Sequence, residues 1–284
     1  MSQVGCPVCG TEASLYLKKT VAGRTFDIYK CIACGLGFVH PLPSKEELEA
    51  VYLKGYYESE YEWGYHTPYG ELENPLKRMY RRILRRAFKN NKFPSSVLDV
   101  GCAYGFLLDV ARELGATRTV GLDVSEEAER IVLSKGHHFV RGFFEDAKLN
   151  ESFDLVYMGD VLEHFREPHR VMEKLRLVTH SGSAVIVTTV NFDSFMARFF
   201  KDRWRLLSPP EHLFFWTKRS LWLLFRYYGF SGYICKYWLT YPKEYVIERF
   251  KRQFGFYPFF IHPLPVKHLS VPGLDVIMGI FKRS

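Results

Sequence analysis

Strands that alternate with helices through the middle of the chain, a glycine-bearing turn joining the first of those strands to its helix, and two paired-cysteine turns near the N-terminus predict an α/β protein. Its expected form is a doubly wound parallel sheet with a small N-terminal module. The 284 residues, at roughly 100–200 per domain, fit one large domain plus such a module. Hydrophobic residues at 47% and charged residues at 25% exclude disorder for the bulk of the chain. No stretch reaches the roughly 18 apolar residues of a membrane helix. The start, MSQVGCPVCG, has neither a basic region nor an apolar core for a signal peptide, so a cytoplasmic location is expected.

The first element is the cysteine module. Cys6-Pro-Val-Cys9-Gly10 and Cys31-Ile-Ala-Cys34-Gly35 are two turns tight enough to aim both sulfurs of each at one point. Four thiolates at tetrahedral corners suit Zn2+, and a site filled by sulfur leaves no open position, so the expected role of Cys6, Cys9, Cys31 and Cys34 is structural. Two disulfides or a redox dithiol are the rival readings. The insert, alternating around Leu15–Leu17 and Phe26–Tyr29, reads as a hairpin too small to hold itself without a metal. The expected zinc ribbon spans 1–43.

A linker and helix, 44–92, follow. Ser44 and Glu47 form a capping box for a helix to about Tyr52. The aromatic run Gly55–Tyr65 has no period. From Asn74-Pro75 to about Asn90 an amphipathic helix sets Leu76, Tyr80, Ile83, Leu84, Ala87 and Phe88 against Lys77, Arg78, Arg81, Arg82, Arg85, Arg86 and Lys89. The basic face is either solvated or a phosphate contact.

The third region, 93–284, carries the sheet. Expected strands are Ser96–Val100, Thr119–Asp123, His137–Arg141, Phe153–Met158 and Ser183–Val190, with helices Phe106–Leu114, Ser125–Lys135 and Glu167–Val178 between them. Ligands of such sheets bind beyond the C-terminal strand ends. There Gly101 and Gly105 allow close backbone approach, and Asp123 can accept both ribose hydroxyl protons. A dinucleotide site would want G-x-G-x-x-G facing a pyrophosphate. Here the turn is G-C-A-Y-G with Asp99 at its entrance, which repels pyrophosphate and suits the cationic amino end of S-adenosyl-L-methionine.

Val97–Gly105, Val120–Ser125 and FDLVYMGDVLEH (Phe153–His164) resemble the successive motifs of class I S-adenosylmethionine-dependent methyltransferases. The resemblance implies a Rossmann-like seven-stranded sheet with its last strand antiparallel. It also implies that Asp99 and the turn with Gly101, Ala103 and Gly105 hold the methionine end, and that Asp123 holds the ribose. Phe144 and Glu145 would flank adenine, and Gly159 and Asp160 would border the sulfonium. Ala103 stands where many members have glycine.

The acceptor side is less patterned. An insertion, 191–216, contains Pro209-Pro210-Glu211-His212 before a helix Thr217–Tyr228. A second, 239–273, is aromatic and basic, between a sixth strand Gly232–Trp238 and a last strand Leu274–Phe281. The P-P-E-H segment resembles that of sugar C-methyltransferases, which also begin with a four-cysteine zinc module. His212 is therefore a candidate base, with Glu211 to orient it, and His164 is a second candidate. A tyrosine that those enzymes carry three residues earlier is Pro209 here. Quinone O-methyltransferases have similar motifs as well.

Charge is uneven. Residues 1–190 hold 24 Lys+Arg and 25 Asp+Glu, a net of −1, whereas 191–284 hold 15 and 6, a net of +9. The basic end points to an anionic partner: a small anionic substrate, nucleic acid or a membrane surface. The leading expectation is methylation of a nucleotide-linked or polysaccharide-related sugar. The alternatives are rRNA or tRNA methylation, a lipid-quinone acceptor, and a non-enzymatic scaffold. Oligomeric state is left open.

Overall fold

The computed structural model describes residues 4–48, 69–89, 91–236, 238–243, 246–247, 250–251, 255 and 268–284. The N-terminal module is antiparallel: β1 (Val4–Gly5), β2 (Glu12–Val21), β3 (Arg24–Cys31) and β4 (Gly37–Val39). Ala22 and Gly23 both have positive φ, which matches the twist of a two-residue hairpin turn between β2 and β3. Phe26 and Ile28 point inward and are buried. Ser44 and Glu47 exchange N–H bonds, 2.8 Å into the Glu47 carboxylate and 3.2 Å into the Ser44 hydroxyl, forming the expected box. The rest of that helix, and Gly55–Tyr65, lie outside the described residues.

Helix α1 (Glu73–Ala87) buries Leu76, Met79, Ile83 and Leu84, a stripe at helical spacing. Of its cations, Lys77 reaches Glu73 and the buried Asp109 at 2.6 and 2.8 Å, and Arg81 pairs with Glu113. Arg78, Arg82, Arg85, Arg86 and Lys89 are exposed.

The main sheet then forms from β5 (Ser96–Val100), α2 (Phe106–Glu113), β6 (Arg118–Asp123), α3 (Glu126–Ser134), β7 (His138–Arg141), β8 (Phe153–Gly159), α4 (Pro168–Leu177) and β9 (Thr179–Val190). After it come α5 (Phe195–Phe200), β10 (Phe214–Phe215), α6 (Lys218–Tyr227), β11 (Phe230–Cys235), β12 (Trp238–Pro242), β13 (His268–Pro272) and β14 (Val276–Arg283). The seven strands run in the order β11-β14-β9-β8-β5-β6-β7; β5 to β9 are parallel, and β14 lies antiparallel to both neighbours. Helices cover both faces, so Val97, Leu98, Val156, Met158, Val185 and Val187 read as near-continuous apolar runs and are buried. The chain leaves β5 toward β6 and β7, then returns to β8 on the other side. That reversal opens a crevice at the C-terminal ends of β5 and β8.

Three features depart from the expectation. Strand β9 begins at Thr179, not Ser183, because Thr179 pairs with Phe153 across a register shift that the polar His180–Ser183 run conceals. The insertion 191–216 contains α5 and β10, and β10 joins the module's sheet, Phe214 opposite Phe38 and Phe215 opposite Gly37. In 239–273, β13 pairs antiparallel with β12. Neither pairing has a local period to announce it.

Candidate functional site

On one side of the crevice, the turn after β5 holds Gly101, Ala103 and Gly105 at φ of 73°, 44° and 72°. A Cβ on Gly101 would sit 2.3 Å from Val161 Cγ1, so glycine is required there twice over. Asp123, at the end of β6, ties this turn down: its Oδ2 accepts the Ala103 N–H and its Oδ1 the Ser125 N–H, both at 3.0 Å. An ionised carboxylate has about four lone-pair sites, so both oxygens keep capacity for ligand hydroxyls. Asp99 is 5% exposed, and burial, then the charge of Asp123, push its carboxyl up to about 8. Two buried acidic groups this close oppose each other's ionisation, and a cationic ligand group would offset that.

Gly159 ends β8. Asp160 follows at φ 52°, its N–H on the Thr188 carbonyl and its Oδ1 accepting the Thr188 hydroxyl, each at 3.0 Å. After β7, Glu145 has a buried Oε2 without a hydrogen-bond partner, and burial raises its carboxyl. An orphaned acceptor there fits a ligand amine. Phe144 is placed differently: its ring is 1% exposed and packs 6.4 Å from Phe165 in the core, so the ring is not presented beside Glu145 for stacking.

Across the crevice, the loop after Asp160 brings Glu163 and His164 against His212, with one ligand atom of each within 4.8 Å of the others. His164 Nδ1–H donates to the Glu211 carbonyl at 2.9 Å, and His212 Nδ1–H donates to the Leu206 carbonyl at 2.7 Å. The rings meet edge to face at 4.8 Å. Burial pushes His164 down to about 4; burial, His164 and Arg205 push His212 well below its ordinary value. Both imidazoles are therefore neutral, and since His212 holds its proton on Nδ1, its lone pair is on Nε2. The carboxylate of Glu211 was expected to orient His212. The Leu206 backbone does so instead, and Glu211 acts on His164 through its main chain.

Sequence reasoning missed Glu163. It is 1% exposed, accepts the Thr189 hydroxyl at 2.8 Å, and has its carboxyl raised to about 8 by burial and by Asp160. The available signal was a third ionisable group beside Asp160 and His164 in the D-V-L-E-H segment that follows β8.

The four cysteines also converge. Cys6 and Cys34 Sγ are 3.6 Å apart, Cys9 and Cys31 Sγ 3.5 Å, and all four lie within 4.8 Å of one another without a disulfide. Tetrahedral Zn–S bonds of about 2.3 Å imply sulfur separations of about 3.8 Å. The N–H groups of Val8, Ala33 and Cys34 point at sulfur, which favours thiolate.

Residues 72–233 match the family model described as a methyltransferase domain. The chain belongs to this family. A ubiquinone biosynthesis O-methyltransferase of Haemophilus ducreyi is 31% identical over 134 residues, covering 42% of this chain and 54% of the relative. The ribosomal protein L11 methyltransferase of Thermotoga maritima is 29% identical over 127 residues, 43% and 46% of the two chains. The chain thus spans about half the length of the curated relatives it matches. Among solved structures, the 1,6-didemethyltoxoflavin-N1-methyltransferase of Burkholderia thailandensis, with bound S-adenosylhomocysteine, superposes with a TM-score of 0.55 at 14% identity, covering 95% of this chain and 100% of that one. This likeness shows the fold, the α/β methyltransferase sheet with its antiparallel β14. Among the described residues no helix is long and apolar enough to cross a membrane.

Proposed function

We propose that the protein transfers a methyl group from S-adenosyl-L-methionine to a small anionic acceptor bearing a hydroxyl or an acidic C–H. The observation that carries this reading is the pair of buried carboxylates, Asp99 and Asp123, flanking a turn held open by Gly101 and Gly105. The bound donor supplies a methyl already activated on a sulfonium. The residues bind and orient: Asp99 accepts from the ammonium group, Asp123 from the ribose hydroxyls, and Glu145 Oε2 from the adenine amine. Gly159 and Asp160 border the sulfonium. His212 accepts the acceptor's proton at Nε2, neutral because it is buried. In-line transfer asks for little more than a dry, collinear alignment of donor and acceptor.

The four cysteines are proposed to hold a structural Zn2+. It fixes the module whose β4 pairs with β10, just after His212.

The nucleotide-linked sugar favoured by the cysteine module and P-P-E-H is the first acceptor to test. A hydroxylated quinone ring is the second, favoured by the quinone methyltransferases among the relatives. Incubation with methyl-labelled donor, nucleotide sugars, hydroquinones and RNA is expected to label a small acceptor. Label in RNA alone refutes the reading.

A further inference from the structure

Helix α5 carries two phenylalanines that stay largely exposed, Phe199 touching only the edge of Phe200 besides its stacked partner among the ring contacts of the described residues. Phe195 is 73% exposed and Phe199 64%, and their rings stack at 5.5 Å. Four residues apart, they share one side of the helix, while Ala197 is buried on the other. A stacked ring pair left in water marks a contact surface.

The surface continues beyond the helix. Asp193, two residues before Phe195, lines a groove of about 450 Å3 whose opposite wall is the cysteine module, with Leu15 at 47% and Ile32 at 68% exposure. The turn Lys201–Arg203 after α5 lies against β2, where Lys19 Nζ donates to the Asp202 carbonyl. Module and helix therefore form one face with apolar projections. Its charge is predominantly positive. Lys30, Lys201, Arg203 and Arg219 make no ion pair among the described residues, and Arg198 shares Asp193 at 3.4 Å.

The mixture distinguishes two anionic partners. A single-stranded nucleic acid wants flat rings with free faces for its bases. Here the phenylalanines stack on each other, Tyr16 is packed against Phe192 with the Lys30 ammonium over its ring, and the remaining projections, Leu15 and Ile32, are aliphatic. Rings and aliphatics among Lys and Arg match a lipid surface instead, where anionic headgroups take the cations and the acyl boundary takes the apolar groups. We propose that this face seats the protein on an anionic lipid bilayer. Because α5 departs from the C-terminal end of β9, docking brings the mouth of the crevice to the membrane.

Vesicle co-sedimentation of the full chain tests this, comparing phosphatidylcholine vesicles with the same vesicles containing phosphatidylglycerol. The expected result is binding only to the anionic vesicles, weakened by salt. Binding should fall at least about tenfold in the double variant Phe195→Ser/Phe199→Ser and in the charge reversal Lys201→Glu/Arg203→Glu. Leu133→Ser, which removes a 51%-exposed leucine on α3, should leave it unchanged. If the phenylalanine variant loses its melting transition, the charge-reversal variant decides. No binding, equal binding to uncharged vesicles, or full binding by both double variants overturns the proposal. So does a vesicle-free dimer that Phe195→Ser/Phe199→Ser dissolves, or RNA retention that these variants abolish. Calorimetry with S-adenosylhomocysteine on the same variants should give unchanged affinity. That separates failure here from failure of the methyl-transfer reading.

Discussion

Asp99, the Gly101–Gly105 turn and Asp123 belong to one unbroken strand–turn–helix–strand run, whereas His164 meets Glu211 across 47 residues and β4 meets β10 with all the parallel strands between them in the chain. The donor side is thus closed by local bonds, such as Ala103 N–H to Asp123. The acceptor side hangs on the cysteine module. Val39 N–H donates to the Leu213 carbonyl at 3.0 Å, beside His212, and Thr217 Oγ1 donates to the Cys34 carbonyl at 2.8 Å. His169 Nε2 donates to the Pro7 carbonyl at 2.7 Å. The difference teaches that a metal held by the four cysteines would act on the His212 side of the crevice and leave the Asp99–Asp123 side to its own local bonds.

Breaking the metal site should have the largest effect. Structural zinc contributes on the order of 10 kcal/mol to small modules, more than this hairpin's burial can replace. Cys31→Ser is expected to lose bound zinc by elemental analysis, melt the module and abolish methyl transfer. Affinity for S-adenosylhomocysteine should stay within about threefold, because the bonds that close the donor side, from Ala103 N–H and Ser125 N–H to Asp123, do not involve the module. Equal loss of both activities would show that the two sides are not separable.

Next in size is His212→Gln. A positioned base contributes about a hundredfold or more, so turnover should fall by that much with donor affinity unchanged. The wild-type rate should also show no titration near 6.5, the ordinary histidine value, because burial, His164 and Arg205 hold His212 neutral well below it. A rate midpoint at 6.5 would remove His212 as the base.

The same contrast decided what was legible in the sequence. Strands β5 to β8 and helices α1 to α4 appeared within a few residues of their expected bounds, because apolar period, caps such as Ser125 and breakers such as Gly115 are local signals. The Asp99–Gly105 turn was legible for the same reason. Strand β10, two residues long, owes its existence to β4, and no periodicity in Phe214-Phe215 distinguishes it from packed core. The Leu206 carbonyl that aims His212 is main chain, which side-chain patterns do not reveal. Glu163 stands close to other ionisable residues, Asp160, His164 and Arg166, so no local pattern marks it as buried; its place beside Thr189 of β9 decides that.

On the donor side a smaller effect follows from Asp99. Its carboxyl sits near 8 in the folded chain against 3.8 ordinarily, so below about 8 the ligand-free protein holds a proton that the unfolded chain has released. A raised acid stabilises the fold below the ordinary value and loses that contribution as pH rises through about 8. The ligand-free melting temperature should therefore fall as pH rises through that window. Binding of the cationic donor requires the carboxylate, so its affinity should rise over the same window, by at most about tenfold per pH unit. Asp99→Asn should flatten both trends; a pH-independent affinity in the unsubstituted chain would show that no ammonium group meets Asp99.

The smallest effect concerns Ala103, whose φ of 44° is left-handed. Holding a non-glycine residue there costs roughly 1–2 kcal/mol, and glycine would relieve it. Against that, glycine loses about 0.4–1 kcal/mol through the freer unfolded chain. The net for Ala103→Gly is a stabilisation of about 0.8 kcal/mol, or about 2–3 °C in melting temperature. Gly101→Ala is the opposing arm: φ is 73° and the new methyl would lie 2.3 Å from Val161 Cγ1, so it should destabilise and weaken donor binding together. Differential scanning calorimetry on both variants distinguishes a turn limited by backbone conformation from one limited by space. If Ala103→Gly lowers the melting temperature, its methyl contributes packing that outweighs the strain, and the 6% exposure of Ala103 is then the relevant quantity rather than its φ.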